Sequence, residues 1–140
     1  MERRDGPTLA VERPEVEVMF ITPVADEPAE IRRAWQQLED RLGSLRGRRF
    51  FGMFDGDKYR ACVQVRTDDD PVPAGFRTTV LPGGAYLRAR LRDEPEQLYE
   101  RIPDAFAAME SLANRDEMRP GIEHYRRLDE VDLLLPITLA

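Results

Sequence analysis

The spacing of apolar residues switches between two periods along this chain. In "VEVMFI" (Val16–Ile21) the alternation puts Val16, Val18 and Phe20 on one side of a strand. "TPVADEP" stops that strand and introduces a helix: Ile31, Trp35, Leu38, Leu42 and Leu45 recur at steps of four and three, with charges between them. The stripe predicts an amphipathic helix ending near Gly43. "RFFGMF", the turn signal Asp55-Gly56 and "KYRACVQV" then read as a hairpin, and the acidic, proline-broken stretch Thr67–Gly75 reads as a loop.

The second half repeats the plan. "FRTTVL" and "AYLRARL" are two strands joined through Pro82-Gly83-Gly84, and "RDEP" (Arg92–Pro95) echoes the "ADEP" (Ala25–Pro28) before the first helix. Leu98, Ile102, Ala105, Met109 and Leu112 follow the first helical stripe at a constant offset of 67 positions. Pro103 falls inside this stripe, so the second helix either kinks there or begins there. The stretch "GIEHYRRLDEVDLLLPI" (Gly121–Ile137) closes the pattern with a strand, a turn around Leu128-Asp129-Glu130, and a strand carrying Val131, Leu133, Leu135 and Ile137 on one side. The implied fold is α+β: a pseudo-twofold, duplicated strand–helix–strand–strand unit. Its antiparallel sheet has two long helices on one face, and a ligand cleft on the far side or in the seam between the halves. Residues 1–13 are expected to be a flexible arm before one domain, 14–140, with halves of about 14–67 and 76–138.

With 140 residues, 41% hydrophobic and 34% charged, the chain suits a single globular domain. Its net charge of −6 argues against gripping a nucleic-acid backbone and fits a cationic ligand better. No apolar run approaches the length of a membrane span, and "MERRDGPTLA" lacks the apolar stretch of a signal peptide, so the expected location is cytoplasmic. Cys62 is the only cysteine and His124 the only histidine. No disulfide framework or transition-metal site follows, and Cys62 reads as a buried inert thiol, since a nucleophilic one would need His124 as its base. The acidic run Asp68–Asp70 has no calcium-loop pattern and reads as solvated charge. "LPGG" lacks the lysine and following helix of a phosphate loop, and no serine sits in a nucleophile elbow. No cofactor and no metal is implied; the expected partner is a small amphipathic or cationic ligand, with the chain a monomer or weak homodimer.

Two residues resist a plain reading. Glu123 and Tyr125 share one face of their strand, and Ile122 and His124 share the other. Glu123 is either a solvated strand carboxylate paired with an arginine, or a buried carboxylate among aromatic rings, where its charge and the ring quadrupoles both attract a flat cation. Phe50, Phe51, Phe54, Tyr59, Tyr86, Tyr99 and Phe106 could supply such rings, although most must fill core. Tyr86 stands out because Ala85, Leu87, Ala89 and Leu91 form the core face of its strand, leaving it opposite with Arg88 and Arg90. The expected ligand-binding set is Glu123, Tyr125, Tyr86, Phe54, Phe51, Met19 and Phe106. Glu123, Glu17 and Tyr125 could carry acid–base chemistry if burial raised a carboxyl toward the working pH.

"RPGIEHYRRLDEVDLLLPI" resembles the carboxyl-terminal signature of the GyrI-like, or AraC-type effector-binding, domain: a proline-rich approach, Glu-x-Tyr, a short acidic turn and a strand ending in Leu-Pro-Ile. "VLPGGAYLRARL" is similar to that family's middle element and "FFGMFDGD" to its Gly-aromatic strand and acidic turn; together they span roughly residues 14–138. The second helix departs from the pattern, since "AFAAMESLAN" lacks the tryptophan common there. The resemblance implies a cleft between two halves, in which Glu123 faces aromatic residues and receives amphipathic, often cationic compounds. In many members such a module follows a helix-turn-helix reader; with about fifteen residues before the first strand, none is expected here. The first expectation is therefore a stand-alone small-molecule-binding protein. The alternative is a hydrolase that opens cyclopropane-bearing alkylating natural products, with Glu123 activating water and Tyr125 or Tyr86 orienting the substrate. The third is a protein-interaction module such as a gyrase inhibitor, contacting a basic surface through Thr67–Gly75.

Overall fold

The computed structural model describes residues 5–138, and the fold is α+β, as the periodicity predicts. Strands β1 (Leu9–Arg13), β2 (Val16–Phe20) and β3 (Val24–Ala25) precede helix α1 (Pro28–Leu42) and the hairpin β4 (Phe50–Asp55) and β5 (Lys58–Gln64). Strands β6 (Arg77–Leu81) and β7 (Gly84–Arg92), helix α2 (Pro95–Glu110) and the hairpin β8 (Gly121–Arg127) and β9 (Glu130–Pro136) complete it. Both helices begin on a proline, whose missing N–H costs nothing in a first turn, and each has a glutamate there, Glu30 or Glu96. Pro103 lies within α2 and does not start it. It deprives the Tyr99 carbonyl of its intrahelical donor, and Tyr99 sits on the exposed side of the helix, where water can serve instead.

All pairings are antiparallel, in the order β1-β7-β9-β8-β4-β5-β2-β6, with β3 on β5. The central six strands mirror one another about the β8–β4 contact, so the two halves meet where Glu123 lies. Leu9–Arg13 fall in the stretch expected to be a flexible arm, yet they form β1. Leu9 opposes Arg88 and Arg13 opposes Gly84; past a break, Val16 opposes Leu81 and Phe20 opposes Arg77. A single register runs through both ladders, so residues 9–20 form one bent strand against another, 77–92. Pro14 and Pro82 occupy the break, where neither could donate a ladder hydrogen bond. The two connectors cross so closely that a Cβ on Gly83 would come within 2.9 Å of the Glu15 nitrogen.

The sheet has two differently covered faces. On one, α1 packs over Met19, Ala61 and Val63, while α2 packs over Leu87, Leu133 and Leu135. The other carries no helix. There Val18, Phe51, Cys62, Tyr86, Ile122 and Leu134 bury one another, with Val11 and Leu81 from the two outermost strands packed into the same cluster. The bent double strand folds the sheet's ends back over this face. Among the described residues no helix is long and apolar enough to cross a membrane.

The acidic loop is anchored. Asp69, expected within a solvated run, takes both Arg48 amino groups at 2.7 Å and the Arg66 backbone N–H at 2.7 Å. The Arg48 hydrogen bonds, with the Arg66 N–H and both guanidinium charges, hold its carboxyl down at about 2. Such a lowered value makes the interaction stabilising above the ordinary carboxylate range and lost as pH falls through the folded value. Asp69→Asn should therefore lower unfolding stability by about 1 kcal/mol at pH 7. In urea melts this deficit should vanish as pH falls from about 4 toward 2.

Candidate functional site

Glu123 is the third residue of β8, opposite Gly52 of β4 and Leu133 of β9. Leu133 belongs to the helix-covered cluster, so the register turns Glu123 toward the helices, at the seam of the two halves. Its residue exposure is only 7%. Two phenols hold it: Tyr59 donates to Oε1 at 2.8 Å and Tyr125 to the same oxygen at 2.6 Å. Trp35 of α1 donates its indole N–H to the Tyr59 oxygen at 3.1 Å, so a relay runs from helix to hairpin to carboxylate. Oε2 receives no hydrogen bond from the described residues.

Gly52 makes this possible. A Cβ there would collide with the Tyr59 hydroxyl and stand 2.5 Å from Glu123 Oε1. The rings pack edge to face: Trp35 lies 5.4 Å from Tyr125 and 6.1 Å from Phe50 between centroids. Tyr99 of α2, 56% exposed, tilts over Tyr125 at 6.0 Å. One wall of the site thus comes from each helix and the floor from the central strands.

Burial pushes the Glu123 carboxyl above its ordinary value; the Tyr125 and Tyr59 hydrogen bonds offset part of this, and the charge of Asp26 adds to it. Burial and the Glu123 charge drive both phenols well above the usual tyrosine range, so they remain neutral donors. Among the described residues no basic side chain forms an ion pair with Glu123. Among the described residues, the site is a desolvated carboxylate without a counter-charge.

The expected residues divide between the two faces. Glu123 and Tyr125 come together, the phenol donating to the carboxylate. Phe54 and Phe106 share their face, in edge-to-face contact at 5.0 Å one step along the seam. Met19 is buried under α1, two strands from β4. Phe51 and Tyr86 lie on the helix-free face, so they do not share a site with Glu123. Phe51 stacks on His124 at 4.6 Å, and Tyr86 donates to the Pro82 carbonyl at 2.5 Å. Strand alternation places a side chain on one face or the other; only the inter-strand register says which face the helices cover. Trp35 and Gly52 were not anticipated here, and Tyr59 only as one ring among several. The available signal was chemical: an indole N–H on a helix's buried stripe needs an acceptor.

No family model and no curated protein sequence matches the chain. Solved structures share its fold at low identity. An integron cassette protein from the mobile metagenome of Vibrio cholerae superposes with a TM-score of 0.74 at 12% identity, covering 94% of this chain and 95% of its own. SAV2435, solved with tetraphenylphosphonium bound, gives 0.69 at 13% identity, covering 95% and 94%. A hydrolase from Listeria innocua gives 0.59 at 12% identity, covering 94% and 91%.

Two variants test the electrostatics and packing. Gly52→Ala should cost about 1–3 kcal/mol of unfolding free energy through overpacking. A raised folded-state value means that ionising Glu123 works against folding: the penalty is absent well below the ordinary glutamate range and complete above the folded value. In urea melts Glu123→Gln should therefore be more stable than wild type above the raised Glu123 value, and this advantage should disappear as pH falls below the ordinary glutamate range.

Proposed function

We propose that the protein binds small lipophilic cations, with Glu123 as counter-ion and Trp35, Tyr59, Tyr99 and Tyr125 as the aromatic enclosure. The observation that carries this reading is a buried carboxylate that two phenols orient and that no basic side chain among the described residues neutralises. An unpaired charge in such a place is costly, and a bound organic cation removes the cost while its apolar surface contacts the ring faces. A strongly hydrated metal ion would gain less, because the enclosure offers few oxygen ligands to replace its water. That SAV2435 holds tetraphenylphosphonium on the same fold adds support.

The enclosure contains the chain's only tryptophan, so binding has an intrinsic reporter. Titrating tetraphenylphosphonium should change Trp35 emission saturably. Glu123→Gln should weaken binding at least about tenfold, equivalent to about 1.4 kcal/mol. Lowering the pH through the raised Glu123 value should weaken wild-type binding and leave the variant unchanged. Equal affinity of the two proteins at pH 8 would remove Glu123 from the role.

A second reading uses the same carboxyl. With both phenols on Oε1, Oε2 is left to accept a proton from water, and the raised value of the acid suits a general base. Water would add to a carbon of a strained ring, the ring bond's electrons would pass to an electron-withdrawing group on the substrate, and Glu123 would take the water's proton. Incubation with a cyclopropane-bearing alkylator separates the readings: ring-opened product above the buffer rate, lost in Glu123→Gln, means hydrolysis, and unchanged compound means binding alone.

A further inference from the structure

The helix-free face carries a second concentration of charge, of the opposite sign. Along β7, Arg88, Arg90 and Arg92 stand opposite Leu134, Asp132 and Glu130 of β9, and His124 of β8 stands opposite Asp132 from the other side. Arg126 reaches the same carboxylates, 3.2 Å from Glu130 and 3.7 Å from Asp132. Arg13, at the end of β1, lines a cavity of about 10 Å³ with Phe51, Tyr86 and Ile122, and it lies within the electrostatic reach of Asp132, Arg126 and Arg88. Five arginines thus share the patch with two carboxylates, on a protein of net charge −6.

The carboxylates are already used. Arg90 grips Asp132 at 2.6 and 3.0 Å, and Arg92 holds Glu130 at 2.7 Å. Arg13 and Arg88 have no hydrogen-bonded or ion-pair partner among the described residues, and both are half-buried. Arg88 Nε and His124 Nδ1 are buried without a hydrogen-bond partner among the described residues. Buried donors left unmade are expensive, and unpaired guanidinium groups side by side repel one another. Both costs fall if an acceptor with negative charge sits among them. The cavity beside Arg13 is lined mostly by apolar residues and holds no more than about one water, so a ligand of these groups lies outside it, on the open side of the arginines.

We propose that this face binds an oxyanion, a carboxylate or phosphate group, between Arg13 and Arg88 and within reach of His124. Guanidinium groups match either planar carboxylate or phosphate oxygens, and His124 as its Nδ1–H tautomer supplies a neutral donor. The site is separate from Glu123, which lies across the sheet. The protein would then hold a cation and an anion on opposite faces of one strand, β8, through neighbouring residues.

His124 is the only histidine, so its ring proton gives one resolved signal in a proton NMR spectrum. Burial, then the charges of Arg13, Arg126 and Arg49 against Asp132, hold its value down to about 4 in the free protein. Titrations use inorganic phosphate and, separately, benzoate, at constant ionic strength balanced with chloride. The expected result is a saturable shift of the His124 signal with at least one of the two anions, and a rise of its titration midpoint by about one pH unit on saturation. Arg13→Gln and Arg88→Gln, which keep most of the side-chain stem, should each weaken the anion at least about fivefold. Glu123→Gln should leave it unchanged. Phosphate alone saturating points to a phosphorylated ligand, and benzoate alone to an organic acid. A response no larger than that to chloride, or one retained in both arginine variants, overturns the proposal.

Discussion

A single carboxylate sets the terms for the centre of this fold. Glu123 is taken out of water at the seam of two halves and given hydroxyls, not a cation, as its partners. Hydrogen bonds from two phenols orient the charge and delocalise part of it, but they do not cancel it. Much around it follows from that choice. Gly52 must lack a side chain so that the Tyr59 hydroxyl fits, the indole of Trp35 completes the Tyr59 hydrogen bonding, and one helix from each half contributes a ring to the walls. The raised carboxyl is stored free energy that a cation of the right shape could recover.

The same sheet handles its other buried carboxylates in the opposite way. Burial also pushes Asp132 up, yet the bond from Arg90 and the charges of Arg90, Arg126 and Arg88 outweigh it, and the net displacement is downward. Asp132 and Glu123 are thus separated by one sheet's thickness and by sign of perturbation. One is a structural acid with its counter-charge built in; the other has none among the described residues. Asp132 and its arginine tie β7 to β9, whereas Glu123 is held by hydrogen bonds from neutral groups.

The repeat was legible in the sequence because helices advertise themselves: both stripes recur at steps of four and three, and both helices open on proline at the same offset. The hairpins announced themselves too, through Asp55-Gly56 and the alternation after Glu130. Strand β1 was not legible, because its reason for being ordered is a register shared with β7 across Pro14 and Pro82, and register is a long-range property. Tyr86 was rightly placed on the face away from Leu87, but which face holds the carboxylate depends on Glu123 standing opposite Leu133. Trp35 reads as ordinary core on a stripe of aliphatic residues, and only the fold brings its indole N–H to the Tyr59 oxygen.

If the Glu123 charge is what a bound cation meets, binding must be linked to the proton on that carboxyl. Calorimetric titration with tetraphenylphosphonium, repeated in buffers of different ionisation enthalpy just below the raised Glu123 value, counts the protons exchanged on binding. Release approaching about one proton per cation bound is expected in the wild type, and none in Glu123→Gln. Binding that releases no proton at any pH, or the same number in both proteins, would contradict it.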